Sequence, residues 1–188
     1  MNYILIGDSG HSKVITDIIQ ANGDCVIAKL DDKYKEPFID ENIIKGPLKH
    51  ISNLTQTDPL ILIAIGNNKI RQNIVDKLNL PNNVYGTIIH PSATVSTSAN
   101  IAEGTVIMPN AVVNAEAVIG CHSIINSSAV VEHDCVIGNF VHIAPAAVVA
   151  GGAQIGNSAH IGPNATIDVL AKVEDGMNIQ AGKVVYKL

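Results

Sequence analysis

A six-residue period runs through the second half of the chain. From Ile89 to Val185, every sixth residue is Ile or Val, seventeen times in succession. An α-helix repeats at 3.6 residues and a flat strand at 2, whereas a period of six is typical of a β-helix in which each hexapeptide forms one short strand and one turn. The period therefore predicts a β-helix of hexapeptide repeats. The aliphatic positions are Ile89, Val95, Ile101, Ile107, Val113, Ile119, Ile125, Val131, Ile137, Ile143, Val149, Ile155, Ile161, Ile167, Val173, Ile179 and Val185.

The residue two positions before each aliphatic residue is usually small, as at Ala111, Ala129 and Ala147. Residues two apart in a strand share a face, so both should point into a narrow, filled tube. If three strands close one coil, residues eighteen apart stack about 4.8 Å apart along the axis. Glycine often follows the aliphatic residue, as Gly138 does, and we expect it to relax the backbone at the corners.

The composition limits the classes of partner and compartment. The net charge is −5, without a basic cluster, which argues against nucleic acid as the main partner. Cys25, Cys121 and Cys135 give an odd count without metal-ligand spacing, and we interpret them as reduced core thiols of a cytoplasmic protein. Met1 leads directly into an apolar run without a basic leader, and no stretch approaches 18 apolar residues. We therefore expect neither a signal peptide nor a membrane span.

Residues 1–85 lack the six-residue period and are predicted to form a separate domain, with the solenoid in 86–188. Strands alternating with amphipathic helices indicate a small, Rossmann-like parallel α/β domain, whose ligands bind at the carboxyl ends of the strands. The predicted strands are Tyr3–Ile6, Cys25–Leu30 and Leu60–Ile65, and the predicted helices are Ser12–Ala21 and Ile70–Leu80.

Three polar loops follow the predicted strands: Gly7–His11, Asp31-Asp32 and Gly66-Asn67-Asn68. Glycine at a strand-to-helix turn lets backbone N–H groups approach a phosphate, and the helix N-terminus favours an anion. Acidic residues about twenty positions later can bind ribose or sugar hydroxyls. The full G-x-G-x-x-G pattern is missing because the residue two after Gly7 is Ser9, so tight or solvated turns remain the alternative.

The segment Glu132-His133-Asp134 is the strongest candidate for chemistry in the solenoid. Histidine can accept a proton near neutral pH, and a carboxylate can fix its tautomer. Adjacent residues point to opposite faces of a strand, so Asp134 can reach the ring only at a corner or from a neighbouring subunit. An exposed, solvated His133 is the alternative.

Other reactive groups are less favoured. His142 and His160 are eighteen residues apart and should stack on successive coils, and with His133 they raise the possibility of zinc. The H-x-x-x-H spacing and a carboxylate ligand are both missing, so we expect no metal site. His160 and His122 are expected at the surface. No G-x-S-x-G motif occurs, which favours general-base catalysis over a covalent acyl-enzyme.

Several motifs together resemble a known family. They are Gly7-Asp8-Ser9-Gly10-His11, Leu30-Asp31-Asp32, Ile63-Ala64-Ile65-Gly66-Asn67-Asn68, Ile89-His90-Pro91, Asn126 and Glu132-His133-Asp134-Cys135-Val136-Ile137-Gly138. In the same order and over nearly the whole chain, the bacterial nucleotide-sugar acetyltransferases with a left-handed β-helix carry similar motifs. This family is typified by the bacillosamine-pathway N-acetyltransferase, which acts on a UDP-4-amino sugar, and the sialic acid O-acetyltransferases are a related branch.

The resemblance implies a homotrimer of left-handed parallel β-helices, with active sites between neighbouring subunits and acetyl-CoA along the solenoid. The implied reaction is direct attack of the 4-amino group of a nucleotide-linked, UDP-type 4-amino-4,6-dideoxy sugar on acetyl-CoA. His133 would be the general base and Asp134 would orient it. The implied contacts of the nucleotide sugar are Gly7, Asp8, Ser9, Gly10, His11, Asp31, Asp32, Gly66, Asn67 and Asn126. The implied acetyl-CoA contacts are His142, Gly151 and Gly152.

Asp134 departs from the Glu that close relatives often carry, and its shorter reach makes its orienting role the weaker part of the resemblance. Three other functions stay open at this point. They are O-acetylation of sialic acid or another sugar, a β-helix zinc hydratase, and a non-catalytic trimer that binds nucleotide sugars.

Overall fold

Residues 1–54 and 58–187 are described by a computed structural model, and the chain divides into two compact units, Met1–Gly86 and Thr87–Leu188. The first unit holds the α/β elements and the second holds the hexapeptide repeats.

The first unit is built on a five-stranded sheet with the order β3-β4-β2-β1-β5. Its pairs are parallel except for the antiparallel pair of β3 and β4. The strands are β1 Asn2–Ile6, β2 Cys25–Leu30, β3 Phe38–Asp40, β4 Ile43–Gly46 and β5 Leu60–Ile63. The helices are α1 Gly10–Ala21 and α2 Asn68–Leu78, with short 3-10 helices at Leu48–Asn53 and Asn82–Val84.

The central strands β1 and β5 are buried on both faces, as continuous apolar strands require. Ile4 and Ile6 of β1 share one core cluster with Ile74 of α2, while the alternate residues Tyr3 and Leu5 are also buried. β1 lies between β2 and β5, so the later strands extend the sheet on both sides of β1. This arrangement places a crevice at the carboxyl ends of the central strands.

The structure adds to and corrects the predicted elements of this unit. β3 and β4 were not predicted, because they are only three and four residues long and give no clear apolar pattern. α1 begins at Gly10 rather than Ser12. α2 begins at Asn68 rather than Ile70, because the Asn67 side chain caps it by accepting a hydrogen bond from the Ile70 N–H.

β5 is shorter than predicted and α2 ends earlier. β5 ends at Ile63 rather than Ile65, where its pairing with Ile6 of β1 stops. α2 ends at Leu78 rather than Leu80, because Asn79 takes the left-handed conformation with φ 46°. Both boundaries depend on backbone pairing or dihedral angles, which the apolar pattern does not report.

The second unit is a parallel β-helix, as the period predicts. Its described residues contain seventeen two-residue strands, each ending at one of the aliphatic positions. Partners are eighteen residues apart, as in Val112↔Val130, so three strands make one coil. One sheet contains β7 Thr94–Val95, β10 Val112–Val113, β13 Val130–Val131, β16 Val148–Val149, β19 Thr166–Ile167 and β22 Val184–Val185. A second contains β8 Asn100–Ile101, β11 Val118–Ile119, β14 Val136–Ile137, β17 Gln154–Ile155 and β20 Lys172–Val173. The third contains β6 Ile88–Ile89, β9 Val106–Ile107, β12 Ile124–Ile125, β15 His142–Ile143, β18 His160–Ile161 and β21 Asn178–Ile179.

The small and the aliphatic residues of each repeat fill the tube together. Ala111, Ala129 and Ala147 are fully buried beside Val113, Val131 and Val149 in one core cluster. The interior is therefore packed rather than hollow, as predicted.

The corners place the same position of most repeats in the left-handed region of backbone conformation. The third residue after most aliphatic positions has a positive φ, as at Ser128, Asp134 and Asn164. Asp and Asn tolerate this left-handed region better than most residues. The glycine that follows the aliphatic residue has a different purpose from the one predicted: a Cβ on Gly138 would lie 2.8 Å from the backbone nitrogen of Asn157 on the next coil. Close approach of successive coils, not corner conformation, requires glycine there.

The cysteines are distributed differently from the prediction. Cys135 is a buried core thiol, as expected, but Cys25 is exposed at the start of β2 and Cys121 is half-buried. The prediction of three core thiols is therefore wrong for Cys25. None of the helices in residues 1–54 and 58–187 is both long and apolar enough to cross a membrane.

Candidate active site

His133 and Asp134 form a hydrogen-bonded pair at a solenoid corner between β13 and β14. The left-handed backbone of Asp134, with φ 59°, turns its carboxylate back so that Oδ2 lies 2.7 Å from Nδ1 of His133. Asp134 reaches the ring at a corner, one of the two routes that the sequence analysis allows. The hydrogen bond to Asp134 raises the pKa of His133 above its ordinary 6.5, and the charge of Glu132 acts in the same direction.

Gly151 lies against the His133 ring from the next coil. A Cβ on Gly151 would be 2.8 Å from Nε2 and 2.9 Å from Cε1 of His133. Glycine therefore keeps the space beside Nε2 open. The N–H of Gly152 donates to the His133 carbonyl oxygen at 2.9 Å, so this amide belongs to the ladder between the coils.

Asn126 and His142 are brought together on the third sheet and its corner. The Asn126 amide nitrogen lies 2.9 Å from Nε2 of His142, and Asn126 Oδ1 accepts a hydrogen bond from the Ser127 N–H at 2.7 Å. His142 and His160 are register partners, with ring centroids 4.9 Å apart and planes at 85°. The predicted stacking of these two histidines on successive coils is confirmed.

The three predicted loops converge at the carboxyl ends of the strands in the first unit. The Gly7 N–H donates to the Leu30 carbonyl oxygen at 2.7 Å, and the Asp8 N–H donates to Oδ2 of Asp31 at 2.9 Å. Gly7 has φ 108°, and a Cβ there would lie 2.9 Å from Cγ1 of Ile65. Both the conformation and the close approach require glycine at this turn.

The carboxylates of Asp31 and Asp32 hold the loops in place. Besides Asp8, Asp31 accepts a hydrogen bond from the Lys33 N–H at 3.0 Å, and Asp32 accepts one from the Leu48 N–H at 2.9 Å. A carboxylate has about four acceptor sites, so both acids can still bind a ligand hydroxyl. In the structure, these hydrogen bonds to Asp31 and Asp32 fix the shape of the crevice.

Asp8 is surrounded by three lysines that the sequence analysis did not identify. Its carboxylate lies 3.8 Å from Lys29, 3.8 Å from Lys33 and 3.5 Å from Lys45, and it accepts a hydrogen bond from Tyr34 at 2.6 Å. Lys29 and Lys45 are partners on β2 and β4, so Asp8 offsets the repulsion of two adjacent like charges. Burial alone raises the pKa of Asp8, but the Tyr34 hydrogen bond and the lysines outweigh burial and lower it. Because β4 was not predicted, the sequence offered no signal for this cluster.

Arg71 of α2 holds the loop after β5 and is also missed by sequence reasoning. Its buried guanidinium donates to the carbonyl oxygens of Ile65 at 2.9 Å and Gly66 at 3.1 Å, and to Oδ1 of Asn68 at 2.9 Å. Burial, and secondly the charge of Arg71, lower the pKa of His11 from 6.5 to about 4. His11 is therefore neutral at physiological pH. Within residues 1–54 and 58–187, Nε2 of His11 is buried and has no hydrogen-bond partner.

A cavity of about 190 Å³ opens beside these loops. Its wall is mainly apolar, with two carboxylates and one ammonium group. The lining includes Ile6, Leu30, Leu48, Ile65, Ile74, Asp31, Asp32 and Lys77.

Comparison with known proteins identifies the family. Residues 2–78 match the family model of the PglD N-terminal domain, and residues 134–168 match the bacterial transferase hexapeptide model of six repeats. The acetyltransferase domain of PglB from Neisseria gonorrhoeae FA1090 is 34% identical, with a TM-score of 0.86 over 98% of this chain and 90% of that chain. The chain belongs to this acetyltransferase family.

Two further relatives of this acetyltransferase are informative. PerB from Caulobacter crescentus, solved in complex with CoA and GDP-perosamine, is 31% identical with a TM-score of 0.89, over 100% of this chain and 89% of that chain. The UDP-N-acetylbacillosamine N-acetyltransferase of Bacillus subtilis (strain 168) is 43% identical over 105 residues, which are 54% of this chain. The match spans about half, 49%, of that curated relative's length. The relatives confirm the predicted fold, an α/β domain followed by a left-handed parallel β-helix.

His160 and His122, both expected at the surface, differ in solvent exposure. His160 is half-exposed, whereas His122 is buried, and its ring stacks on Phe140 with centroids 5.1 Å apart. The prediction of a surface His122 is therefore wrong: its left-handed corner conformation, with φ 54°, folds the ring over Gly104, where a Cβ would lie 2.2 Å from it. Among the described residues, no three His, Cys, Asp or Glu side chains are grouped to hold a metal ion.

Proposed function

We propose that the protein transfers the acetyl group of acetyl-CoA to the 4-amino group of a nucleotide-linked 4-amino-4,6-dideoxy sugar. The observation that carries the proposal is the hydrogen-bonded pair of His133 and Asp134 at an exposed solenoid corner. The relatives named for bacillosamine and perosamine N-acetyl transfer support an amino sugar as the acceptor. The pair is of the kind that general-base catalysis needs.

His133 is the general base in this proposal. Asp134 accepts the proton of Nδ1 in a hydrogen bond, so the unprotonated Nε2 is left to receive a proton from the acceptor amine. The amine nitrogen attacks the thioester carbonyl carbon, the C–N bond forms, the C–S bond breaks, and CoA leaves as the thiolate. The excess proton of the amine passes to Nε2. No acyl-enzyme forms.

Acetyl-CoA is held by His142 and by the backbone at Gly151 and Gly152. The Gly152 N–H already donates a hydrogen bond to the His133 carbonyl oxygen. Of these two amides, the Gly151 N–H is therefore the better donor to the acyl carbonyl oxygen. Hydrogen-bond donors placed where charge develops on the carbonyl oxygen lower the barrier to acyl transfer.

The nucleotide binds to the first unit. The N-terminus of α1 presents the amides of Ser9 and Gly10 to the diphosphate. The carboxylates of Asp31 and Asp32 accept hydrogen bonds from the ribose hydroxyl groups. Gly66 and Asn67 form the rest of the crevice. Nε2 of His11 is buried and has no hydrogen-bond partner among the described residues, and this supports a ligand here because buried polar atoms normally have a partner.

UDP is the nucleotide we propose, by similarity to the Bacillus subtilis relative. The functional assembly in the proposal is a cytoplasmic homotrimer with active sites between neighbouring subunits.

The proposal is tested by the release of CoA thiol from acetyl-CoA. Acceptors are UDP- and dTDP-linked 4-amino-4,6-dideoxy sugars and free sialic acid, with wild type, His133→Ala and the control His50→Ala. Turnover with a 4-amino sugar that falls at least about 10²-fold in His133→Ala and persists in His50→Ala is expected. Turnover with sialic acid alone would overturn N-acetyl transfer, and no turnover with any acceptor would overturn the enzyme proposal.

A further inference from the structure

The amide of Asn126 has one possible orientation. Its Oδ1 lies 2.7 Å from the backbone nitrogen of Ser127. A backbone N–H can only donate, so the atom facing it must be the amide oxygen. The other end of the amide, the NH₂ group, then faces Nε2 of His142 at 2.9 Å.

This orientation fixes the proton of His142. The NH₂ group of asparagine can only donate, so Nε2 of His142 must accept and cannot carry a proton. A neutral imidazole has one protonated nitrogen, which leaves the proton on Nδ1. In an imidazolium, the Nε2–H of His142 would face the NH₂ group of Asn126, which is also a donor. The positive charge would lie in a ring whose centroid is 4.9 Å from that of His160.

We propose that Asn126 is a positioning residue that holds His142 as the neutral tautomer protonated at Nδ1. The assignment of the tautomer stands on the two contacts of the Asn126 amide alone. Its consequence for catalysis rests on the proposed function: His142 acts on the acetyl-CoA thioester as a neutral donor through one defined nitrogen. A neutral donor stabilises the developing oxyanion without giving up its proton to it.

The tautomer is measurable by NMR on the full-length protein labelled with ¹⁵N at its seven histidines. Long-range ¹H–¹⁵N correlations distinguish a protonated from an unprotonated ring nitrogen, and His142→Gln assigns the signals of His142. The expected wild-type pattern is a protonated Nδ1 and an unprotonated Nε2. Wild-type signals showing a proton on Nε2 would overturn the inference without any variant.

Asn126→Asp is the sharp variant, because a carboxylate has the same shape but cannot donate to Nε2. It should move the proton of His142 to Nε2 and lower kcat by about 10²-fold, while the KM for acetyl-CoA changes less. Asn164→Asp is the matched control: this exposed corner residue already has a left-handed conformation that aspartate tolerates, with φ 55°. An unchanged tautomer in Asn126→Asp would contradict the positioning role.

The two proposals fail in different ways. Wild type with the expected tautomer but no CoA release would overturn the proposed function and leave the assignment of the tautomer standing. Wild type with CoA release but a proton on Nε2 would overturn this inference and leave the acetyl transfer standing.

Discussion

Removal of His11 should make the protein less sensitive to acid. The folded chain binds a proton on this ring only near pH 4, whereas the unfolded chain binds it near the ordinary pKa of 6.5. Between these values unfolding takes up a proton, so the free energy of unfolding falls as the pH falls. The stability that a neutral His11 provides is complete above about pH 7 and is lost towards pH 4.

The size of the effect follows from the two pKa values. A difference of about 2.5 units corresponds to about 3 kcal/mol when both states have titrated fully. From pH 7 to pH 5 the unfolded state gains most of one proton and the folded state very little. The wild type should therefore lose about 2 kcal/mol more than a variant without this histidine.

The assay is urea unfolding of wild type, His11→Gln and the control His50→Gln, each at pH 7 and pH 5. Other titrating groups contribute equally to all three proteins and cancel in the comparison. His11→Gln should lose about 2 kcal/mol less than wild type on acidification, and His50→Gln should follow wild type. Equal losses in all three proteins would refute the reasoning that burial and Arg71 suppress the protonation of His11.

Three other perturbations test separate parts of the structure. Asp134→Asn should lower the pKa of His133, so the acid limb of the kcat/KM profile for CoA release should move to lower pH; an unmoved limb would show that Asp134 does not act on the base. Gly138→Ala should lower the free energy of unfolding by about 1–3 kcal/mol in thermal or urea melts, because the new methyl group meets the next coil. Gly66→Ala is the control, because a Cβ there would meet no atom of the described residues within 4 Å, and equal losses in the two variants would contradict the argument from close approach. Asp8→Asn should lower the free energy of unfolding by about 2 kcal/mol in urea, because it removes the carboxylate that Lys29 and Lys33 share, whereas Lys45 keeps its 2.7 Å ion pair with Asp40. A stability equal to wild type would show that the lysines do not depend on Asp8.

Sequence periodicity was sufficient for the solenoid because each repeat forms the same contacts. A residue such as Val131 meets Val113 and Val149 at fixed spacings of eighteen, so one rule assigns strand, register and core together. The apolar runs of β1 and β2 were recognisable for a similar reason, since burial on both faces leaves a continuous apolar stretch. The convergence of the loops after these strands also followed from parallel topology alone.

The short strands β3 and β4 of the first unit could not be predicted from the sequence, because they are defined by their pairing in the tertiary structure. β3 has three exposed residues and exists through its pairing with β4. The pairing of β4 with β2 brings Lys45 beside Lys29 and close to Asp8, and no residue spacing in the sequence indicates this cluster of charges.

The sequence by itself determined the coil length, the candidate base His133 and the loops that hold the candidate nucleotide site. Only the tertiary structure fixes the contacts that control the protonation of His133, His142 and His11. The left-handed corner turns Asp134 onto His133, and the Ser127 N–H turns the Asn126 amide towards His142. Burial beside Arg71 keeps His11 neutral. The physical reason is that a proton's position depends on distances, dihedral angles and solvent exposure, and residue order alone specifies none of these.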